Sequence, residues 1–227
     1  MDESMLLNAF LACGARHLSI VNPSFGGEKA GLHYDIATKA LLDSVQDPDR
    51  DSVLCATAAL ALGSYEAMSL QSRSEANHLA GSRALIRECG WTSKTPGLGG
   101  ASFWMSISME LLDCLQRGWS LSWDPDTWGV DMDMDHVQPF WKGDDNWLHR
   151  ILYICAKILN FGVSVEQLRS LNDSTVQSAR LNEALQEWNH YNSLCEQWTK
   201  AIPRSMKPLG RVEPWQADLK SAFPKIW

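Results

Sequence analysis

Along most of this chain, apolar positions recur every three or four residues, the spacing that gathers them on one face of a helix. Met5 to Ile20 carries Leu6, Leu7, Phe10, Leu11, Gly14 and Leu18 at that spacing, predicting a first helix with these residues inward. Glu28 to Val45 predicts a second, with Ala30, Tyr34, Ala37, Ala40, Leu41 and Val45 inward. Asp51 to Met68 is different, because it is apolar on nearly every side from Val53 to Tyr65. A helix of that kind is a membrane span or the buried centre of a helical domain. Its unbroken run, Val53 to Leu62, is about half of the roughly 20 residues a span requires, so the central role is expected. Asp51 is a good N-cap for it. Ser74 to Cys89 predicts a fourth helix with one stripe, formed by Ala76, Leu79, Ala80, Ala84, Ile86 and the stems of Arg83 and Arg87. Gly90 closes it as a C-cap.

Thr92 to Gly100 is rich in Gly, Ser, Thr and Pro and reads as a loop. The next helix is expected over Ala101 to Arg117, with Phe103, Trp104, Ile107, Leu111, Leu112 and Leu115 inward. From Leu121 to Asn146 no period is sustained. Trp119, Trp123, Trp128, Trp141 and Trp147 lie in or beside this stretch and are expected to anchor it to the helices. Trp147 to Asn160 predicts a further helix. Ser174, with Gln177 at capping-box spacing, opens the longest one, ending near Ile202. Its seam is Leu181, Leu185, Trp188, Tyr191, Cys195, Trp198 and Ile202. Pro203, Pro208, Pro214 and Pro224 prevent further helix, leaving residues 203–227 as a Pro-containing tail. No alternating run predicts a strand. The expected class is all-α, a multi-helix bundle or array of about seven helices with a Trp-rich irregular segment.

The chain has 227 residues, enough for a sizeable core, and its 45% apolar content is ordinary. Its acidic start, Met1-Asp2-Glu3, does not read as a secretory leader. Six cysteines stand at least 25 residues apart, with no C-x-x-C, the usage of thiols as small apolar side chains in a reducing compartment. The net charge is −7. Acids concentrate between Leu121 and Arg150, while Lys200 to Lys225 is basic. An acidic chain is not expected to bind nucleic acid directly.

Few constellations suggest chemistry. Asp131-Met132-Asp133-Met134-Asp135-His136 alternates carboxylates, but a calcium loop of the EF-hand type needs Gly sixth and Glu twelfth, where this chain has His136 and Lys142. Asp144-Asp145-Asn146-Trp147-Leu148 begins like a magnesium-diphosphate motif but puts Leu148 where the third carboxylate belongs. Asn172-Asp173-Ser174 resembles part of a second such motif and lacks its acid at Arg180. Gly97-Leu98-Gly99-Gly100 has the glycines of a phosphate loop without the preceding strand or following Lys. The six histidines, at 17, 33, 78, 136, 149 and 190, form no i, i+4 pair. No residue is nominated as catalytic, cofactor-binding or metal-ligating, and the tryptophans raise the reading of an aromatic-lined pocket for a small apolar ligand.

The order of motifs resembles a known family. Leu6-Leu7-Asn8-Ala9-Phe10-Leu11-Ala12-Cys13-Gly14-Ala15-Arg16-His17-Leu18 looks like the first helix of fungal-specific transcription factor domains, the regulatory regions of zinc binuclear-cluster transcription factors. His33-Tyr34 to Leu41-Leu42, Ala58 to Glu66, and His78-Leu79-Ala80-Gly81-Ser82-Arg83-Ala84-Leu85-Ile86 follow in the family's order. So do Phe103-Trp104 with Glu110-Leu111, the acidic connection Trp123 to Asp135, Glu187-Trp188 to Trp198, Pro203, Pro208 and Phe223-Pro224. The resemblance implies a non-enzymatic regulatory domain in the nucleus that controls transcription through effector or protein binding, often as a homodimer, with no cofactor. The zinc cluster that would contact DNA is absent from this sequence, so direct DNA binding is not expected, and neither is a membrane. Relatives continue past the F-P segment, so residues 1–227 are expected to be a single regulatory domain truncated at its C-terminal end, leaving an apolar surface uncovered near the last two long helices. The alternative is a helical scaffold or small-molecule-binding module of another class, such as a tetratricopeptide-like array, although no pattern repeats at that array's period of about 34.

Overall fold

The computed structural model describes residues 3–22, 24–69, 78–135, 145–169, 174–212 and 225–226. It divides into two compact units, residues 1–129 and 130–227, which lie within the span expected to be one domain. Among the described residues the protein is built from seven α-helices, and the all-α class holds. The first unit has α1 (Glu3–Val21), α2 (Glu28–Val45), α3 (Ser52–Met68), α4 (His78–Glu88) and α5 (Leu98–Arg117). The second has α6 (Asp145–Arg169) and α7 (Ser174–Ala201).

Helix α3 is the centre of the first unit, as its all-round apolarity predicts. Cys55, Ala56, Ala58, Ala59, Leu60, Ala61 and Leu62 are buried, and α1, α2, α4 and α5 pack against this helix. Asp51 caps it, its carboxylate accepting from the Leu54 N–H at 3.0 Å. The Glu88 carboxylate ties α4 to the same end, receiving two hydrogen bonds at 2.7 Å from Arg50 and one at 2.7 Å from Ser52. Helix α4 ends in a Schellman motif, with Gly90 at φ 66° and the Trp91 N–H donating to the Ile86 carbonyl. Its start before His78 falls outside the described residues, as does Ala76. Its buried face is Ser82, Leu85 and Ile86; Ala80 and Ala84, expected inward, are exposed.

Helix α1 turns the opposite face inward from the one its large side chains suggest. Met5, Ala9 and Ala12 are buried, whereas Leu7, Phe10, Leu11 and Leu18 are 42–59% exposed. Small residues let α1 approach α3 closely enough for the Cys13 thiol to donate to the Ala61 carbonyl at 3.1 Å and for Arg16 to reach the Met68 carbonyl at 3.3 Å. In α2, Ala30, Ala37 and Leu41 are buried as expected, but Val45, the last residue of the helix, is exposed.

Helix α5 begins three residues before its expected start. Gly99 and Gly100 belong to the helix because the preceding loop folds back against them. A Cβ on Gly100 would collide with the Thr95 carbonyl, and one on Gly99 would press on Trp91 and Thr95. Phe103, Trp104, Ile107 and Leu111 are buried, while Leu112 and Leu115 are exposed. After Gly118 the Trp-rich segment is pinned by two of the rings expected to anchor it, Trp123 and Trp128, whereas Trp119 is exposed. Trp123 and Trp128 meet Phe103 edge-on at 5.5 and 6.4 Å, Trp128 meets Trp104 at 5.7 Å, and Arg87 stacks over Trp123 at 4.4 Å. The buried Glu110 carboxylate accepts from the Ser122 N–H at 2.6 Å and fixes the segment's entry. Trp141 lies outside the described residues.

In the second unit α6 runs nine residues past the expected end at Asn160, because Phe161, Val163, Val165 and Leu168 continue its apolar stripe and Gly162 alone does not break it. Helices α6 and α7 pair antiparallel. The Trp198 indole donates to the Trp147 carbonyl at 2.8 Å, and Phe161 packs on Tyr191 at 5.7 Å. The tail departs from the expectation of no strand: Arg211–Val212 and Lys225–Ile226 pair antiparallel, two residues on each side.

Candidate functional site

The sequence candidates for chemistry that fall among the described residues each have a structural place. The acidic stretch is bound by a cation of the protein itself. Arg150 is 1% exposed and lies 4.6 Å above the Trp147 ring. It donates to the carbonyls of Asp131 and Asp133 at 2.7 and 2.6 Å. The Asp131 and Asp133 carboxylates turn back on the backbone, each accepting from the N–H two residues on at 3.0 Å. Among the described residues no group of three or more His, Cys, Asp or Glu could hold a metal ion. His136, Asp144, Asn172 and Asp173 lie outside the described residues. Asp145 sits in the first turn of α6, where a carboxylate favours the helix dipole. Gly99 and Gly100 serve the close packing of a loop on α5, and Gly97 takes the positive φ, 64°, at which the helix starts.

One buried polar cluster joins three helices. The Glu66 carboxylate of α3 accepts from the Tyr34 hydroxyl of α2 at 2.7 Å and meets Nδ1 of His78, the first residue of α4, at 2.5 Å. Tyr34 also stacks on Tyr65 at 4.5 Å. Burial, reinforced by the bond to Glu66, pushes the Tyr34 phenol well above its usual pKa. The cluster is a satisfied network that sets the positions of α2 and α4 on α3. All of its members fall in the sequence runs that carry the family resemblance, but their mutual contact was not foreseen from the sequence.

The thiols are structural in kind. All six cysteines are free, and burial pushes Cys13, Cys55, Cys89, Cys114 and Cys155 above the ordinary thiol pKa, which keeps them protonated. A cleft of about 290 Å³ lies where α2 turns into α3, lined by Met5, Ser44, Asp47, Asp49, Arg50, Asp51, Leu54 and Cys55. Its wall mixes Asp47, Asp49, Asp51 and Arg50 with Met5, Leu54 and Cys55, and so is more charged than the predominantly apolar lining of most small-molecule sites. Trp123 and Trp128 of the Trp-rich segment pack against Phe103 and Trp104 of α5, and Trp119 is exposed, so these indoles do not gather around a common pocket.

What the surface offers is apolar. On α1, Leu7, Phe10, Leu11, Leu18 and Val21 stand out, and Leu32 and Ile36 of α2 are 60% and 42% exposed. The second unit exposes Leu148, Leu181, Leu185 and Trp188 at 47–58%, in the helices where an uncovered surface was expected. Periodicity alone could not have revealed the α1 surface, because that helix is apolar on two faces and the sequence does not say which turns inward. By length and composition, Ser4–Val21 and Asp145–Leu168 could each cross a membrane, with a mean hydropathy of 1.3. In α1 that value includes the alanines that pack inside the unit.

A family model described as fungal specific transcription factor domain matches residues 1–205. No curated protein and no solved structure matches the chain.

Proposed function

Since the chain belongs to the fungal specific transcription factor domain family, we propose that it regulates transcription by binding a protein or an effector, and not by catalysis. The observation that carries this reading is the extent of the match, which takes in the seven helices of the described residues and all of the first unit, and reaches residue 205 in the second. The physical character of the surface supports it. Buried polar groups such as Glu66 and Arg150 are spent on holding helices and loops, while large apolar side chains are left at the surface of α1 and α7. Exposed apolar patches of several hundred Å² mark contact sites for other macromolecules. The site of action is the nucleus. With a net charge of −7, the chain reaches DNA through other polypeptide, not through its own surface.

The test is to tether the chain to DNA through a heterologous DNA-binding module and to measure transcription from a reporter in a fungal cell. The expected result is a several-fold change in output relative to the module alone. It should be weakened by Leu11→Lys, which places a charge on the exposed face of α1 without touching the core. An output equal to that of the module alone overturns the reading.

A further inference from the structure

Helices α6 and α7 bring two of the six thiols together. Tyr191, Cys195 and Trp198 follow one another at steps of four and three, so they share one face of α7. That face looks at α6, because the Tyr191 ring meets Phe161 at 5.7 Å and the Trp198 indole donates to the Trp147 carbonyl at 2.8 Å. Cys195 lies between these two contacts on α7, and Cys155 lies between their partners, Trp147 and Phe161, on α6. Since the two helices run antiparallel, both cysteines fall at the same level of the pair. A second observation agrees with this placement. Besides burial, what opposes ionisation of the Cys155 thiol is the Cys195 thiol, an influence confined to neighbours within about 10 Å. Both cysteines are free, and each is half-buried, so the seam is tight at this point but not closed to solvent. Packed helices lie about 8–10 Å apart axis to axis, and each Cα stands about 2.3 Å off its own axis. Facing Cα atoms therefore approach to roughly 4–6 Å, which overlaps the span of about 4.4–6.8 Å that a disulfide bridges.

We propose that Cys155 and Cys195 are a redox-responsive pair, which a small-molecule disulfide such as oxidised glutathione converts into an interhelical disulfide that fixes α6 to α7. One thiol, as its thiolate, attacks a sulfur of the small disulfide, forming a mixed disulfide and releasing one thiolate. The other cysteine gives its proton to solvent and attacks the protein sulfur of the mixed disulfide, releasing the second thiolate. Two protein thiols are oxidised to one disulfide, and one small disulfide is reduced to two thiols. In a reducing compartment the pair rests as two protonated thiols that pack between the helices, and a rise in small disulfides closes it. A single cysteine on a helix face has no such second state. The pair goes beyond the regulatory reading and does not depend on it.

The test treats the reduced full chain with excess oxidised glutathione at about pH 8.5, alkylates the remaining thiols and maps the peptides by mass spectrometry. Wild type should yield one peptide pair joined through Cys155 and Cys195 within a single chain, released by dithiothreitol. Cys155→Ala and Cys195→Ala should each yield no joined pair at these positions and hold at most a mixed disulfide. Hydrogen exchange of the oxidised wild type should slow several-fold or more in α6 and α7 relative to the reduced form, with α1 to α5 unchanged, because the cross-link restrains local opening. Three results overturn the proposal: Cys155 and Cys195 alkylated or carrying only glutathione in wild type, a disulfide that joins two chains, or exchange in α6 and α7 that oxidation leaves unchanged. A cross-linked chain without effect on the tethered reporter sinks the regulatory reading alone, whereas an active reporter without cross-linking sinks the redox pair alone.

Discussion

Acidification should destabilise the α6–α7 unit through His149. This imidazole is 9% exposed, and burial lowers its pKa from 6.5 to about 4, with the Asp145 carboxylate offsetting part of the effect. A base whose folded pKa lies below its unfolded value takes up its proton more readily in the unfolded chain. The stability held by the neutral ring is therefore complete above about pH 6.5 and is lost as pH falls toward about pH 4. The gap corresponds to roughly 3 kcal/mol at about 1.4 kcal/mol per pH unit, a large part of the 5–15 kcal/mol a domain usually holds. The assay is urea unfolding followed by far-ultraviolet circular dichroism at about pH 7, 5.5 and 4, for wild type and His149→Gln. Glutamine keeps a polar side chain but cannot titrate, so carboxylate contributions cancel in the comparison. Wild type should lose about 3 kcal/mol more than the variant across this range. Parallel pH profiles for the two proteins would refute the argument, because they would mean that His149 titrates alike in the folded and unfolded chains.

Three further outcomes are expected. Gly100→Ala should destabilise the first unit by roughly 2 kcal/mol or more in thermal unfolding, since the new Cβ meets the rigid Thr95 carbonyl, whereas Gly14→Ala should stabilise it by about 0.5–1 kcal/mol. Leu60→Asp should prevent cooperative folding by burying an unpaired carboxylate in α3, while Asp133→Asn should change the melting temperature little, because Arg150 binds the Asp133 carbonyl and an amide oxygen can still accept from the Asp135 N–H. Tyr34→Phe should remove a loss of stability that wild type shows above about pH 10, since a phenol with a raised folded pKa stabilises fully below its unfolded value and loses that contribution as pH rises through the folded one; equal alkaline profiles would count against the Tyr34–Glu66 linkage.

The helical class and much of the element layout were legible because periodicity and caps are local properties. Glu28–Val45, the stop at Met68, the Asp51 cap and the stop at Arg117 all follow from residues within a few positions of each boundary. What was not legible depends on which of two apolar faces a neighbour prefers. In α1 the large side chains suggested the inward face, but close approach to the alanine-rich α3 favours Ala9 and Ala12 there. Arg150 was likewise unreadable, because its acceptors are backbone carbonyls 17 and 19 residues away, and a backbone acceptor leaves no mark in residue type. Gly99 and Gly100 suggested a loop although they lie in α5, since Thr95 and Trp91, whose closeness excludes larger residues there, become neighbours only once the chain has folded back.

The alanines of α3 have a consequence for how this protein can change. An interior lined by Ala56, Ala58, Ala59 and Ala61 loses almost no rotamer freedom on folding, but it leaves no slack for growth. A single added methyl there must displace a packed neighbour such as Met5, Leu41 or Leu85, or push the helices apart. Drift in the first unit should therefore be lopsided. The alanine positions of α3 are confined to the smallest residues, while the outer positions of α1 and α2 can be rewritten with little penalty to folding and so can acquire or exchange binding partners without the scaffold being rebuilt.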